Sequence, residues 1–416
     1  MSEITKPVML DETGHLIVEG FARQNILLSQ LVSASQSEAT PVATLNEIHE
    51  IVRAGEAANV FSIGDQINVN WSDGTNSYVL PFDIVHFADV TLQDGETVPG
   101  MYIQSHYAMQ GVQFDSSEAM ICCESALPAG TYHFTIGTSW GSHCVSGSSY
   151  YFTTTEEIPA GGQIVIGTNS SFYTWGAPDT APANWRAYTF ASKTSVTPLE
   201  TLTLTSGTSG TDLGTLSSST AFGANIGNLQ SCAYGYNRYS HSAMRQYLNS
   251  SAATGAWWAP QHDLDRPPQQ LSTVRGFMAG FDEAFLNILK PVKVRTALNT
   301  VSDSAIGTYE DTYDTFFPAS LEQEYITPQL ADTEGEYWEY WKRRLGLSSP
   351  QGTGTANANA SHIRFAYENH SSAQYCRLRS ATRGNANSAW GVGSTGHAYD
   401  YYATNAFRTA PACVIC

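Results

Sequence analysis

The chain has 416 residues, too long for one ordinary core, so more than one module is expected. Its formal charge is −18 with only 20 Lys plus Arg, so nucleic acid or an anionic membrane would be approached against the field of the whole molecule, and both are disfavoured as partners. Hydrophobic residues make up 42% and charged residues 14%, beside 34 glycines and 22 tyrosines, which points to a β-rich protein whose surface is built largely from Ser, Thr, Asn, Gly and Tyr.

The opening residues Met1 to Pro7 lack a basic stretch followed by an apolar run, and no stretch is long enough to span a membrane, so a soluble chain made without a signal peptide is expected. Helical spacing then governs residues from about Gly20 to Ala57: Phe21, Ile26, Leu27, Leu28, Leu31 and Val32 form one run. Leu45, Ile48, Ile51 and Val52 form a second after Pro41. A pair of helices this small needs a surface to cover its apolar stripe, either a partner copy, another protein or the body of the same chain. Residues 1–57 are read as an attachment or oligomerisation segment.

From Phe61 the period becomes two, through Ile67, Val69 and Trp71, then Tyr78, Leu80 and Phe82, then Ile84, His86 and Ala88, with Asp73 and Gly74 supplying turn chemistry. Met101 to Tyr107 reads as another strand, and Phe114 to Ala119 as the approach to a further short segment. Residues 128–220 form a Thr- and Ser-rich block with strands at Tyr132–Ile136, Ser149–Thr154 and Gln163–Ile166, expected as an inserted β-sandwich. Two short helices follow, one at Ser242 to Asn249 begun by a serine cap and one carrying Phe281, Phe285, Leu286 and Leu289 before Pro291. Tyr337, Trp338 and Trp341 have the spacing of a buried helix side. Beyond Ser361 come short strands and long loops, in which Arg364, Tyr367, Arg377, Leu378, Arg379, Trp390 and Val392 look like framework positions.

Seven cysteines at irregular spacing (Cys122, Cys123, Cys144, Cys232, Cys376, Cys413 and Cys416) lack the pairs-of-pairs pattern of a zinc site and read as mostly buried thiols. The eleven histidines fall without a metalloprotease or nucleophile-elbow spacing, and no phosphate loop is present, so no catalytic residue, metal or cofactor is assigned. Glu310, Asp311, Asp314, His262, Asp263 and Asp265 carry oxygen ligands suited to Ca²⁺, but without an alternating Asp loop they read as solvated acids or Asx turns. The segment Gly393 to Asn405 has paratope chemistry, large amphipathic rings beside small adaptable polar groups. The candidate ligand-binding residues are Asn385, Asn387, Ser388, Trp390, Thr395, His397, Tyr399, Asp400, Tyr401 and Tyr402; tyrosines that merely cap the core are the alternative.

Ser242-Ala243-Met244-Arg245-Gln246-Tyr247-Leu248-Asn249, then Arg377-Leu378-Arg379-Ser380, Ser388-Ala389-Trp390-Gly391-Val392 and Arg408-Thr409-Ala410-Pro411-Ala412-Cys413-Val414-Ile415 resemble, in this order, an uncharacterised bacterial and phage domain family. Its members are similar to C-type lectins and occur in gut phage structural proteins and bacterial surface proteins. The family's usual aromatic before Leu-Arg-Ser is here replaced by Cys376-Arg377, and Thr409-Ala410 separates Arg408 from Pro411. The resemblance implies an α+β chain: a C-type-lectin-like domain over 58–127 and 221–416, interrupted by the β insert. It further implies a virion-associated, non-enzymatic protein that recognises a host-surface receptor, glycan or protein. Phage proteins of similar shape include targets of diversity-generating retroelements. The remaining partner expectations are other virion proteins through the N-terminal segment and a homo-oligomer, a trimer above all, since copies multiply weak contacts. A purely structural virion component and a bacterial surface adhesin are the other readings.

Overall fold

The computed structural model describes residues 44–116, 119–122, 126–136, 147–158, 163–168, 185–190, 198–203, 205–216, 236–261, 267–300, 303 and 306–416. The first expected helical run, at Phe21 to Val32, lies outside the described residues, as do His262, Asp263 and Asp265. The architecture is mixed α+β and mostly sheet, 36% strand and 17% helix.

Helix α1 (Leu45–Arg53) begins with a capping box: the Thr44 side chain accepts from the Glu47 N–H, and the Glu47 carboxylate accepts from the Thr44 N–H at 2.7 Å. Its apolar stripe, Ile48, Ile51 and Val52, is buried, with Ile48 and Val52 in the main core. His49 bonds the Cys416 carbonyl at 2.9 Å, so α1 is covered by its own chain. The short helix α2 (Ala57–Val60) follows.

Strands β1 (Gln66–Ser72) and β2 (Ser77–Thr91) form a hairpin closed by Asp73, whose carboxylate accepts from the N–H groups of Thr75 and Asn76, while Gly74 takes φ +99°. The two short strands expected between Tyr78 and Ala88 are one strand, with a register shift between Ile84 and His86 that marks a bulge. Strand β3 (Thr97–Ser105) pairs with it.

Eight further strands follow: β4 (Ala119–Cys122), β5 (Gly130–Ile136), β6 (Ser149–Thr154), β7 (Gln163–Thr168), β8 (Trp185–Phe190), β9 (Pro198–Thr203), β10 (Thr205–Ser206) and β11 (Thr211–Leu216). They make two four-stranded sheets, ordered β4-β7-β8-β9 and β10-β6-β5-β11, with β11 parallel to β5. Because β4 pairs with β7, Ala119–Cys122 belongs by hydrogen bonding with this block.

The rest of the chain completes the main body. Helix α3 (Ala243–Leu248) is capped by the Ser242 hydroxyl, which accepts from the Arg245 N–H, and it buries Ala243, Met244, Tyr247 and Leu248. Helix α4 (Glu283–Leu286) precedes strands β12 (Val292–Ala297), β13 (Tyr309–Asp314) and β14 (Phe317–Pro318). Helix α5 (Glu339–Leu345) ends at Gly346 in the left-handed region, φ +63°. Trp338 and Trp341 are buried as expected, but Tyr337 is 38% exposed, and Tyr340 takes an inner position instead. Strands β15 (Arg364–Phe365), β16 (Ala373–Gln374), β17 (Cys376–Ala381), β18 (Ser388–Val392), β19 (Ala398–Tyr402) and β20 (Pro411–Ile415) follow.

The organising element is an antiparallel five-stranded sheet in the order β1-β2-β3-β20-β14. From it Trp71 and Phe82 meet Phe277, Phe281 and Phe285, with Phe281 and Phe316 stacked at 5.0 Å and Phe277 edge-on to Phe316 at 5.2 Å. All seven expected framework residues are buried, three of them arginines. Glu310 and Asp314 correct the expectation of solvated acids, whereas Asp311 is exposed as expected. Glu310 accepts from Arg238 at 2.8 Å, Asp311 from Arg295 at 2.7 Å and Asp314 from Arg245 at 2.7 Å, because β13 carries them against arginines from neighbouring segments. Burial raises the Asp314 carboxyl despite the Arg245 charge beside it. Among the described residues no group of three or more His, Cys, Asp or Glu side chains is placed to hold a metal ion.

Candidate binding face

The second sheet of the main body, β17-β18-β19, carries the C-terminal candidates, with β19 at its edge. Pairing divides them between two faces. Tyr399 lies opposite Gly391 and Tyr401 opposite Ala389, while Asp400 lies opposite Trp390 and Tyr402 opposite Ser388. Arg377 pairs with Gly391 and so shares the face of Tyr399 and Tyr401. Gly391 is needed there, since a Cβ would lie 2.8 Å from the Cys376 carbonyl oxygen.

On that face the rings form one connected group. Tyr375 stacks on Phe407 with centroids 5.1 Å apart and an interplanar angle of 17°. Tyr401 sits edge-on to both, at 5.4 and 5.0 Å, and Tyr399 follows at 5.7 Å. The Tyr401 hydroxyl bonds His397 Nε2 at 3.1 Å, and the Thr395 hydroxyl bonds His397 Nδ1 at 2.7 Å. Gly393 leaves space for that imidazole, since a Cβ would fall 2.5 Å from its Cε1. Burial, helped by neighbouring Tyr375, pushes the Tyr401 phenol up to about 12, so it stays a neutral donor and acceptor at physiological pH.

Beneath the rings lies Arg377, 1% exposed. It donates to the carbonyls of Ala389 (2.6 Å), Tyr401 (2.8 Å) and Tyr402 (2.7 Å), and its guanidinium carbon stands 5.0 Å from the Phe407 ring centre. Burial pushes it down to about 9, which leaves it charged at neutral pH. The guanidinium thus ties β18 to β19 and fixes the backbone from which Tyr399 and Tyr401 project.

The remaining candidates are distributed unevenly. Thr395 is exposed, and Tyr399 and Tyr402 are 47% and 43% exposed, Tyr402 on the opposite face. Asp400 is half-buried beside Trp390. Asn387, Ser388 and Trp390 are buried and serve the loop. The Asn387 carbonyl accepts from the Ala403 N–H, the Ser388 carbonyl accepts from Asn237, and Trp390 Nε1 points to Gln329 at 3.4 Å. Asn385 closes the turn before β18, its side chain accepting from the N–H groups of Asn387 and Ser388. Tyr375 and Phe407 were missed from the sequence. They are 32 positions apart and no local period links them, although Tyr375 stands two before Arg377 and so shares its strand face.

Among known proteins, residues 215–416 match a family described as a domain of unknown function (DUF6273). No curated protein and no solved structure matches the chain. The family description names no activity, so the chemistry has to come from the face itself. Exposed rings with fixed geometry, a single imidazole and few charges suit adhesion through ring stacking and hydrogen bonds.

Proposed function

We propose that the chain is a recognition protein of a phage-like particle that binds a host-surface receptor through the Tyr375, Tyr399, Tyr401 and Phe407 face, on a C-type-lectin-like scaffold. The observation that carries this reading is the rigidity of the exposed aromatic group. Rings that already stack on one another over a buried arginine lose little freedom on binding, which is what a tyrosine-rich paratope exploits. The lectin-like part of the reading is supported by β20 returning beside β3, which closes the main body and leaves β19 and its loops outside the central sheet. Recognition requires no cofactor and no turnover, and copies in a symmetric oligomer, a trimer above all, multiply a weak contact.

The test is attachment of the fluorescently labelled protein to a panel of gut bacteria, comparing wild type with the double substitution Tyr375→Ser, Tyr399→Ser and, as a control on the opposite face, with Tyr402→Ser, which should attach like wild type. Each ring is at least 38% exposed, so the melting temperature should hardly change. Selective attachment lost in the double variant supports receptor binding at this face. Attachment that survives the double substitution, or none by the wild-type oligomer together with a stable complex on a capsid or tail protein, overturns it in favour of a structural virion component.

A further inference from the structure

A second concave site lies away from the aromatic face, between β3, β12, β14 and the turn at Thr333 to Gly335. It is a cavity of about 270 Å³, just under the size typical for drug-sized ligands, so its occupant is small. Phe317, Val294 and the Tyr102 ring give it apolar walls, and Lys293, Arg295, Gln323, Thr333, Glu334 and Arg379 line the rest. Gly335, at φ +115°, completes the wall; a Cβ there would press on Gln323 Nε2 at 3.0 Å.

Among the described residues the side-chain groups of this cavity that meet no partner can all donate. Gln323 is 6% exposed, and its side-chain oxygen accepts from both the Ser320 N–H (3.2 Å) and Arg379. Two donors fix the amide orientation and turn Nε2 the other way. Among the described residues neither Gln323 Nε2 nor the Tyr102 hydroxyl meets an acceptor. Among the described residues Arg379, 1% exposed, donates to neutral acceptors, the carbonyls of Arg295, Pro318 and Glu334 and the Gln323 side chain, while the Glu334 charge acts on it without a side-chain hydrogen bond. That makes four bonds for its five N–H groups.

Lys293 stands 4.0 Å from Asp311, a carboxylate already gripped by Arg295 at 2.7 and 3.0 Å. Of the acids, Glu334 itself lines the cavity and its charge acts on Arg379, but its oxygens and those of its neighbours already have partners. Both Glu334 oxygens accept, one from the Ala297 N–H and one from the Ser380 hydroxyl, and Glu336 turns to His86 at 3.2 Å. Glu322 accepts from the N–H groups of Asp332, Thr333 and Glu334.

We propose that this cavity binds the carboxylate of a small organic acid, its oxygens accepting from Tyr102, Gln323 Nε2, Lys293 and the remaining N–H of Arg379. A carboxylate supplies only acceptors, up to four lone-pair sites in a plane, which matches a cavity whose unspent groups can all donate. A free metabolite acid and the terminal acid of a surface sugar present the same chemistry.

Isothermal titration of the full chain with acetate, lactate and glucuronate, each beside its neutral counterpart acetamide, lactamide or glucose, reads the proposal directly. Saturable binding of at least one acid, without binding of its counterpart, is expected; acetate alone points to a free acid, and glucuronate above the others to a sugar acid. Tyr102→Phe should weaken that acid roughly tenfold, the effect of one hydrogen bond to a charged group. Lys293→Gln, at a 36% exposed side chain that can be changed without risk to folding, should weaken it as well. Tyr399→Ser should leave it unchanged. No binding of any acid up to about 10 mM, equal binding of a neutral counterpart, unchanged affinity in Lys293→Gln, or loss in Tyr399→Ser overturns the assignment.

Discussion

Replacing Arg377 by methionine tests how the binding face is held. Methionine keeps most of the apolar stem and removes the guanidinium, and with it three short bonds to the carbonyls of Ala389, Tyr401 and Tyr402. Charge-assisted bonds contribute about 1.5–3 kcal/mol each, so the gross loss is roughly 4.5–9 kcal/mol. Against this stands relief of the several kcal/mol that burying an ion costs. Among the described residues Arg377 has no carboxylate as a hydrogen-bond partner, so that cost is little offset by pairing.

A net destabilisation of about 2–4 kcal/mol is expected. In a body of 150–250 residues that lowers Tm by roughly 4–16 °C. Thermal unfolding measures the total, and amide hydrogen exchange locates it: protection should fall in Ala398–Tyr402 and hold in β2 and β3. Arg377→Lys, which reaches fewer of the three carbonyls, should lie between wild type and the methionine variant. A methionine variant as stable as wild type, with β19 still protected, would falsify the view that the guanidinium anchors this strand.

Two further outcomes follow from neighbouring features. Gly391→Ala places a Cβ 2.8 Å from the Cys376 carbonyl and should cost about 1–3 kcal/mol by overpacking, read as a lower urea midpoint with an unchanged slope. The Glu324 carboxyl, pushed up by burial but held below its ordinary value by the hydrogen bond and charge of His362 and by Arg364, contributes stability that is complete above its unfolded value of about 4.3. That stability disappears as the pH falls through the lower folded value. The stability gap between wild type and Glu324→Gln should therefore be full at pH 6–7 and close as the pH drops below about 4, in urea titrations at successive pH values; a gap independent of pH counts against the ion pair.

Local chemistry made much of the chain legible. Asp73-Gly74 announced the first hairpin, Ser242 the start of α3, alternation announced β1, and the turn-bounded Thr- and Ser-rich block announced β5, β6 and β7. The arginines at 364, 377 and 379 read as framework positions, yet nothing local told that Arg377 would be roofed by Phe407. Charge was harder still. Glu310 and Asp314 look like surface acids until pairing carries β13 against Arg238 and Arg245. Of the loop candidates, composition singled out the tyrosines correctly as surface groups at 399 and 402. It could not separate them from Asn387, Ser388 and Trp390, because which side of a strand faces water is decided by register.

The place of β20 bears on how the protein is made. Gln104 in β3 bonds the carbonyl of Ala410, 306 positions further along the chain. At 5–20 residues per second, the ribosome needs roughly 15–60 s between exposing β3 and delivering the strand that covers it. Through that interval β3 presents an open apolar edge, including Met101 and Ile103, which is the geometry that templates pairing with another nascent chain. Synthesis at high level should thus be limited by chaperone supply more than by the stability of the finished fold, and slower translation at low temperature should raise the soluble yield.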